Sequence, residues 1–576
     1  MSNNHKLTRR IFVKGVATSS LLLSGLVDLN AKSTNKFLDN SSVLSGKEFF
    51  LSIEYTPVNI TGTPAIATTV NGLLSAPTLL WKEGDEVTIH VTNNLKVDTS
   101  IHWHGIILPT DMDGVPGLSF AGIKPGTTFT YKFTLNQSGT YWYHSHSGFQ
   151  EQTGVYGAIV IKPKVQDPYK YNADYVLTLS DWSDENPHSV YRKLKLVGDY
   201  YNFKQRTVGE FFSEVKEKGF LQAFSDRKMW NKMSMTDRDL SDVTGYTYTY
   251  LMNGHNPSTH FKALFKKGHK VRLRFINSAA MTFFDVQIPG LKMMVVAADG
   301  NNIEPIRVDE FRIGVAETYD VIVEPLEKKA YAIFAQSLDR SGYALGSLTY
   351  NKNVLAIAPQ MDELPILTHT DMGMNHDMHN NSTHSAMKCG ANMTMPMKKK
   401  PLYSNVPITP LEEKWGAHTT MKLENTRYRL NDPGVGLRGN GRVVLTYADL
   451  KSLNSIVDDR YPDRQIILNL TGNMERYLWS INGIAYKDAK PLEFFYGERL
   501  RITYINNTMM NHPMHLHGLW SDLETGNGNF VRKHTIIVQP GSRISFQVTV
   551  DAKGLWAYHC HLIYHMAGMF RKVVVR

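Results

Sequence analysis

Lys82-Glu83-Gly84-Asp85-Glu86-Val87-Thr88-Ile89, followed by Asn93-Asn94, is a glycine turn leading into a run that alternates polar and apolar side chains. Alternation puts every second residue on one face of an extended chain, so it marks a half-buried strand. The pattern returns twice. Lys267-Gly268-His269-Lys270-Val271-Arg272-Leu273 runs into Ile276-Asn277, and Tyr496-Gly497-Glu498-Arg499-Leu500-Arg501-Ile502 runs into Asn506-Asn507. Upstream of each copy lies an Asn-Gly pair: Asn71-Gly72, Asn253-Gly254 and Asn482-Gly483. Downstream, an aromatic strand closes each copy: Gly139-Thr140-Tyr141-Trp142-Tyr143, Lys329-Ala330-Tyr331-Ala332-Ile333-Phe334 and Gly554-Leu555-Trp556-Ala557-Tyr558. A long-period repeat of this kind is an architectural signal. It predicts an all-β chain of three consecutive β-sandwiches, over 46–165, 170–351 and 441–576, with a turn-rich insert over 352–440 that fits no copy.

Composition agrees. A chain of 576 residues is too long for one core, and about three domains is the natural expectation. The net charge of +10 is spread over scattered lysines, and the only dense run is Lys398-Lys399-Lys400. That is a solvated surface rather than a nucleic-acid footprint, so no nucleic-acid partner is expected. Two cysteines give no disulfide framework, and folding rests on the core alone.

Aligned on Asn94, Asn277 and Asn507, the copies diverge eight residues later. The first has His102-Trp103-His104, the third His515-Leu516-His517, and the second Asp285-Val286-Gln287. On the closing strands the first has His144-Ser145-His146, the third His559-Cys560-His561, and the second Phe334-Ala335-Gln336. Histidines at i and i+2 of a strand share a face, about 7 Å apart. Four such pairs, two from each outer sandwich, place eight imidazoles where they can hold three metals across a domain boundary. Cys560, between two of them, points to the opposite face. His512 stands where the first copy has Thr99, and with Cys560 and His565 it makes a separate thiolate–imidazole set. Such a set, with a methionine as weak axial ligand, is the blue-copper pattern. The remaining histidines lack this patterning, and His255, His260, His269 and His534 read as surface or core residues.

Residues 1–31 read as an export signal. Thr8-Arg9-Arg10-Ile11-Phe12-Val13-Lys14 precedes an apolar run from Val16 to Val27, in the style of a twin-arginine leader. The run is too short to span a bilayer comfortably. A periplasmic destination follows, with the twin-arginine machinery as a partner and no stable membrane insertion after processing.

At this point the residues resemble the multicopper oxidases. His102-Trp103-His104-Gly105, His144-Ser145-His146, His512-Pro513-Met514-His515-Leu516-His517 and His559-Cys560-His561 through His565 match that family's copper signatures. Met233-Ser234-Met235, the stretch Asp242 to Gly254, and Asp111-Met112-Asp113-Gly114-Val115-Pro116-Gly117 are similar to the bacterial copper-resistance branch (CopA/PcoA type). The resemblance implies cupredoxin-like sandwiches, monomeric, and four copper ions: one type 1, one type 2 and two type 3. It assigns His512, Cys560 and His565 to type 1, and His102 with His515 to type 2. One type 3 copper takes His104, His144 and His561; the other takes His146, His517 and His559. The implied electron route runs from the Cys560 sulfur through the backbone to His559 and His561. Asp113 matches an acid that helps deliver protons in relatives, while a plain turn role beside Gly114 is equally open. The family's axial methionine stands ten residues after the cysteine, which here is Phe570. Met569, one position early, is the first candidate and Met566 the second.

The insert carries Met372, Met374, His376, Met378, His379, His384, Met387, Cys389, Met393, Met395 and Met397. Seven methionines in 26 residues is an excess that ordinary solvated linkers do not collect. Thioethers are soft ligands that select Cu(I). The sequence therefore predicts an enzyme that oxidises Cu(I) to Cu(II) while reducing dioxygen to water. Its rivals are a laccase-like oxidase of phenols or catechols and a copper-sequestering protein.

Overall fold

The computed structural model describes residues 43–232, 235–373, 403–423, 426–454, 458–526 and 528–576. The stretch 1–31 expected to be an export signal, Met233-Ser234, and Met374 through Met397 of the insert lie outside the described residues.

The alternating runs are strands, for the reason their patterning gives. In Glu86–Asn93, Val87, Ile89 and Val91 are buried while the residues between them are more open. The strands fall into three pairs of sheets. The first pair has five and four strands between residues 43 and 162. The second has six and five between 173 and 349, and the third has seven and five between 427 and 575.

The repeated asparagines have a physical purpose in each copy. Asn71, Asn253 and Asn482 take left-handed backbone conformations (φ 54°, 50° and 52°) ahead of a left-handed glycine, as a tight hairpin turn requires. Each also accepts a backbone N–H from the neighbouring strand: Ser52, Thr178 and Asn469 respectively. A second asparagine turns the corner after the central strand. Asn93, Asn277 and Asn506 are fully buried, and their amides bind backbone carbonyls of two different segments. Asn93, Asn277 and Asn506 are thus the equivalent residues. The alignment on Asn94 and Asn507 is off by one at the corner, because the middle copy is one residue shorter before its next strand.

Strand register fixes the comparison of the copies. His102 pairs with His144, His515 with His559, and Asp285 with Gln336. The middle counterpart of His144-Ser145-His146 therefore begins at Gln336, two residues later than the sequence alignment placed it. Where the outer copies carry imidazoles, the middle copy buries Asp285 against Arg312 and Arg340, each at 2.7 Å. An ion pair fills the position.

Among the described residues three α-helices interrupt the β pattern: Pro187–Leu196, Val208–Lys218 and Phe220–Lys232. Asn186 caps the first, with Pro187 in its first turn, and Val190 and Leu194 bury its inner face. Thr207 and Glu210 form a reciprocal capping box on the second. Among the described residues no helix is long and apolar enough to cross a membrane. Inside the insert, Arg427–Tyr428 adds a short parallel strand beside Ser542–Arg543. Arg442, just after the insert, pairs with Asp362 inside it and with Glu310 of the second sandwich, and Arg429 pairs with Asp371 within the insert.

The first and third sandwiches meet directly. Val115 packs on Ala557 and Phe570, Trp520 joins the first sandwich's core, and the Thr110 hydroxyl donates to the Leu555 carbonyl. The histidine pairs gather at this seam.

Candidate metal centre

His102 and His104 lie on the strand His102–His104, with His144 at the end of its partner Gly139–His144 and His146 just beyond. His515 lies on the strand His512–Leu516 with His517 just beyond, and His559 on Gly554–Cys560 with His561 just beyond. All eight converge. His104, His144 and His561 offer nitrogens within 4.8 Å of one another, and so do His146, His517 and His559. Nε2 of His517 approaches Nε2 of His559 at 3.0 Å, and Nε2 of His144 approaches that of His561 at 3.3 Å. His102 stacks on His517 and His104 on His515.

The other ring nitrogens are mostly engaged. His102 Nδ1 donates to the Asp113 carbonyl at 2.8 Å and lies 3.2 Å from its carboxylate. The second carboxylate oxygen of Asp113 takes His517 Nδ1 at 2.9 Å. One buried acid thus orients an imidazole from each outer sandwich. His515 Nδ1 donates to the His534 carbonyl, and His559 Nδ1 to the Cys560 carbonyl. His144 Nδ1 meets the Glu151 carboxylate at 2.7 Å.

The inward nitrogens have no such partners. Nε2 of His102, His146 and His515, and both nitrogens of His104, are buried without a hydrogen bond. An unsatisfied buried polar atom costs about 1–3 kcal/mol. Protonation is no remedy, because burial and the neighbouring imidazoles hold His104, His144, His146, His515, His517 and His561 well below the usual histidine range. Neutral imidazoles with lone pairs aimed at a common space fit metal cations.

Cys560 turns the other way, with His512 and His565. Its Sγ lies 3.5 Å from His512 Nδ1 and 3.8 Å from His565 Nδ1, and the two nitrogens are 3.4 Å apart. The centre of that triangle is about 2 Å from each corner, a metal–ligand bond length. Burial raises the Cys560 thiol, with Asp242 adding to the effect. A sulfur so placed becomes an anion only when a cation replaces its proton. The far side of each imidazole is fixed: His512 Nε2 by the Thr508 hydroxyl at 2.7 Å, His565 Nε2 by Asp242 at 2.6 Å. Trp479 stacks on His565 at 3.8 Å between ring centres.

Register separates the two methionines. His559 pairs with Phe570 and stacks on its ring, while the Cys560 N–H donates to the Met569 carbonyl. Met569 is fully buried and held beside Cys560 by that bond. Met566 packs with Val115, Ala557 and Phe570.

Three neighbours escaped the sequence reading. Glu151 sits outside the quoted motifs, and Asp242, which opens the quoted stretch Asp242 to Gly254, carried no sign of its contact with His565. His534, read as a surface or core histidine, is buried beside His104 and His515. Register places Phe311 at its counterpart in the middle copy, so the repeat carried no signal for it. Met372 is buried, and Met374 through Met397 with His376 and His379 lie outside the described residues.

The multicopper oxidase family models match residues 52–166, 173–353 and 459–576. The chain is 53% identical to copper resistance protein A of Escherichia coli over 99% of both chains. It is 52% identical to the copper resistance protein A homolog of Pseudomonas syringae pv. tomato, again over 99% of each. Among solved structures, Fet3p, a multicopper oxidase that functions in iron import, superposes with a TM-score of 0.62 at 19% identity, covering 92% of this chain and 90% of that one. That likeness shows the three-sandwich, cupredoxin-like fold.

Proposed function

The chain belongs to the multicopper oxidase family, and on that premise we propose that it is an exported, periplasmic, monomeric copper-resistance enzyme that oxidises Cu(I) to Cu(II) with dioxygen. The observation that carries the reading is the convergence of eight buried imidazoles, several with orphaned inward nitrogens, beside a thiol flanked by two further imidazoles. The naming of relatives more than half identical over their full length supports the copper-resistance role.

The chain would hold four coppers. His512, Cys560 and His565, with Met569 as axial ligand, would take the type 1 ion. His102 and His515 would take type 2, and His104, His144 and His561 with His146, His517 and His559 the type 3 pair. Bound copper supplies one-electron oxidation at the first site and reduction of dioxygen to water at the cluster. Everything else falls to the protein. The backbone on either side of Cys560 links its sulfur covalently to His559 and His561, a short path between the two sets of donors. Asp113 and Glu151 fix ring orientation at the cluster, and Asp113 is also positioned to hold a proton there. Asp242 and Trp479 do the same for His565 at the type 1 site.

A port for Cu(I) lies nearby. A cavity of about 450 Å³ is lined by Met235, Met474, Asp199 and Asp239, between the helical insertion and the third sandwich. The two thioethers are the soft donors that select Cu(I), and Arg206 and Arg227, which also line the cavity, are each paired to a carboxylate, Asp237 and Glu214. Burial, with Asp242 and Asp199 nearby, pushes the Asp239 carboxyl up to about 8. Asp242 is the carboxylate bonded to His565, so the cavity wall neighbours the partner of a type 1 ligand. His369, on the stem that leads into the Met-rich stretch, stacks on Trp230, which also lines the cavity.

Metal analysis of the copper-loaded protein tests the reading. Four coppers per chain with an intense blue thiolate absorption are expected. A protein that saturates at one copper, or stays colourless, would contradict it.

A further inference from the structure

A ninth imidazole faces the cluster. His534 is 2% exposed, yet its Nε2 has no hydrogen-bond partner. Its nitrogens divide as those of His102 and His515 do: one held from outside, the other orphaned and inward. Nδ1 lies 3.1 Å from the Thr535 hydroxyl and 3.7 Å from the Asp299 carboxylate. Asp299 is itself immobilised, by Lys533 at 3.0 Å and by the backbone N–H groups of Thr318, His534 and Thr535. A carboxylate behind one imidazole nitrogen, with the other nitrogen free, is the usual outer arrangement of a metal-bound histidine.

The position is also made for it. The His534 ring centre is 4.8 Å from that of His104 and 5.9 Å from that of His515, and the three residues offer nitrogens within 4.8 Å of one another. A side chain at Gly105 would put Cβ 2.4 Å from the His534 ring, so the glycine after His104 keeps the place open. His534 also orients its neighbour, since its own carbonyl accepts the His515 Nδ1–H at 2.6 Å. An ordinary core histidine would satisfy both nitrogens. This one leaves unsatisfied the nitrogen on the cluster side.

We propose that His534 is a ninth protein ligand of the copper cluster, coordinating through Nε2 on the edge formed by His104 and His515. The inference rests on the cluster reading above. It gives the copper held by His515, type 2 in that assignment, an additional imidazole. The competing role is a hydrogen bond to water in the adjoining cavity of about 10 Å³, which His534 lines with His102, His515 and His517.

The test uses full-length, copper-loaded protein with His534→Gln and His534→Phe, and reads copper per chain, the blue absorption, and the nitrogen hyperfine structure of the type 2 electron paramagnetic resonance signal. Both variants should keep the blue absorption, which reports an intact fold and type 1 site. Their type 2 signal should lose one coupled nitrogen, and that copper should pass to a competing chelator about tenfold faster or more. Unchanged nitrogen coupling and chelator rate in both variants would overturn the proposal and leave His534 a water-holding or packing residue. If the wild-type protein binds no type 2 copper, the cluster reading fails, and the proposal with it.

Discussion

Removing Asp113 should loosen the cluster from the side where the two outer sandwiches share one carboxylate. The carboxylate takes His517 Nδ1 at 2.9 Å and lies 3.2 Å from His102 Nδ1. In Asp113→Ala the two rings are not equally affected. His102 keeps its bond to the backbone carbonyl of residue 113, at 2.8 Å. His517 loses its acceptor at a fully buried site. A hydrogen bond to a charged group contributes about 1.5–3 kcal/mol, which is about ten- to hundredfold in copper retention. Outer partners of metal-bound histidines typically carry about the same factor. Copper transfer to a chelator measures the loss, with dioxygen uptake followed in parallel. Asp113→Asn, which keeps one acceptor oxygen, should fall between wild type and alanine. If Asp113→Ala holds copper as tightly as wild type and consumes dioxygen at the same rate, then Asp113 is only a turn residue and the orienting role is wrong.

Cys560→Ser should abolish the blue absorption and all oxidase activity while leaving thermal unfolding of the apoprotein within a few degrees; dioxygen uptake at the parent rate would refute the electron path. Gly114→Ala should destabilise the protein by about 3 kcal/mol or more, because a Cβ there would sit 1.8 Å from the Ile101 carbonyl oxygen and φ is +80°; a denaturant midpoint equal to wild type would contradict it. Asp371 anchors the stem of the Met-rich stretch. Burial opposes its ionisation, but bonds from Arg438, the Thr368 N–H and Arg429 prevail and hold the carboxyl at about 2. A carboxyl lowered by folding stabilises above its unfolded value near 4 and stops doing so as pH falls toward 2. Wild type should therefore exceed Asp371→Asn by up to about 2.5 kcal/mol at neutral pH, and the difference should vanish between pH 4 and 2 in denaturant titrations.

The sandwiches were legible because the repeat carries its own mechanism. Asn71-Gly72 and its two counterparts need left-handed turns, and Asn93, Asn277 and Asn506 must satisfy buried carbonyls at each corner. The paired histidines were legible because two copies carry them and the middle copy does not. What escaped has one physical cause: it depends on contacts between segments with no shared period. Glu151 reaches His144, Asp242 reaches His565 across 323 positions, and His534 meets the cluster from a strand whose middle counterpart bears a phenylalanine. The helices from Pro187 to Lys232 escaped because they interrupt a strand repeat, although Asn186-Pro187 and the Thr207–Glu210 capping box were start signals in plain view. The pairing of His559 with Phe570, which puts the Met569 carbonyl on the Cys560 N–H, is likewise not given by spacing alone.

The central claim is that Cu(I) is the substrate, and dioxygen uptake by the copper-loaded protein tests it most directly. Uptake is measured with Cu(I) and with a simple phenol, before and after deletion of residues 372–397. Strong preference for Cu(I), at four Cu(I) oxidised per dioxygen and weakened by the deletion, is the predicted result. Phenol oxidised as fast as Cu(I), with the deletion changing neither rate, would contradict it and make the protein a laccase with an incidental methionine-rich insert.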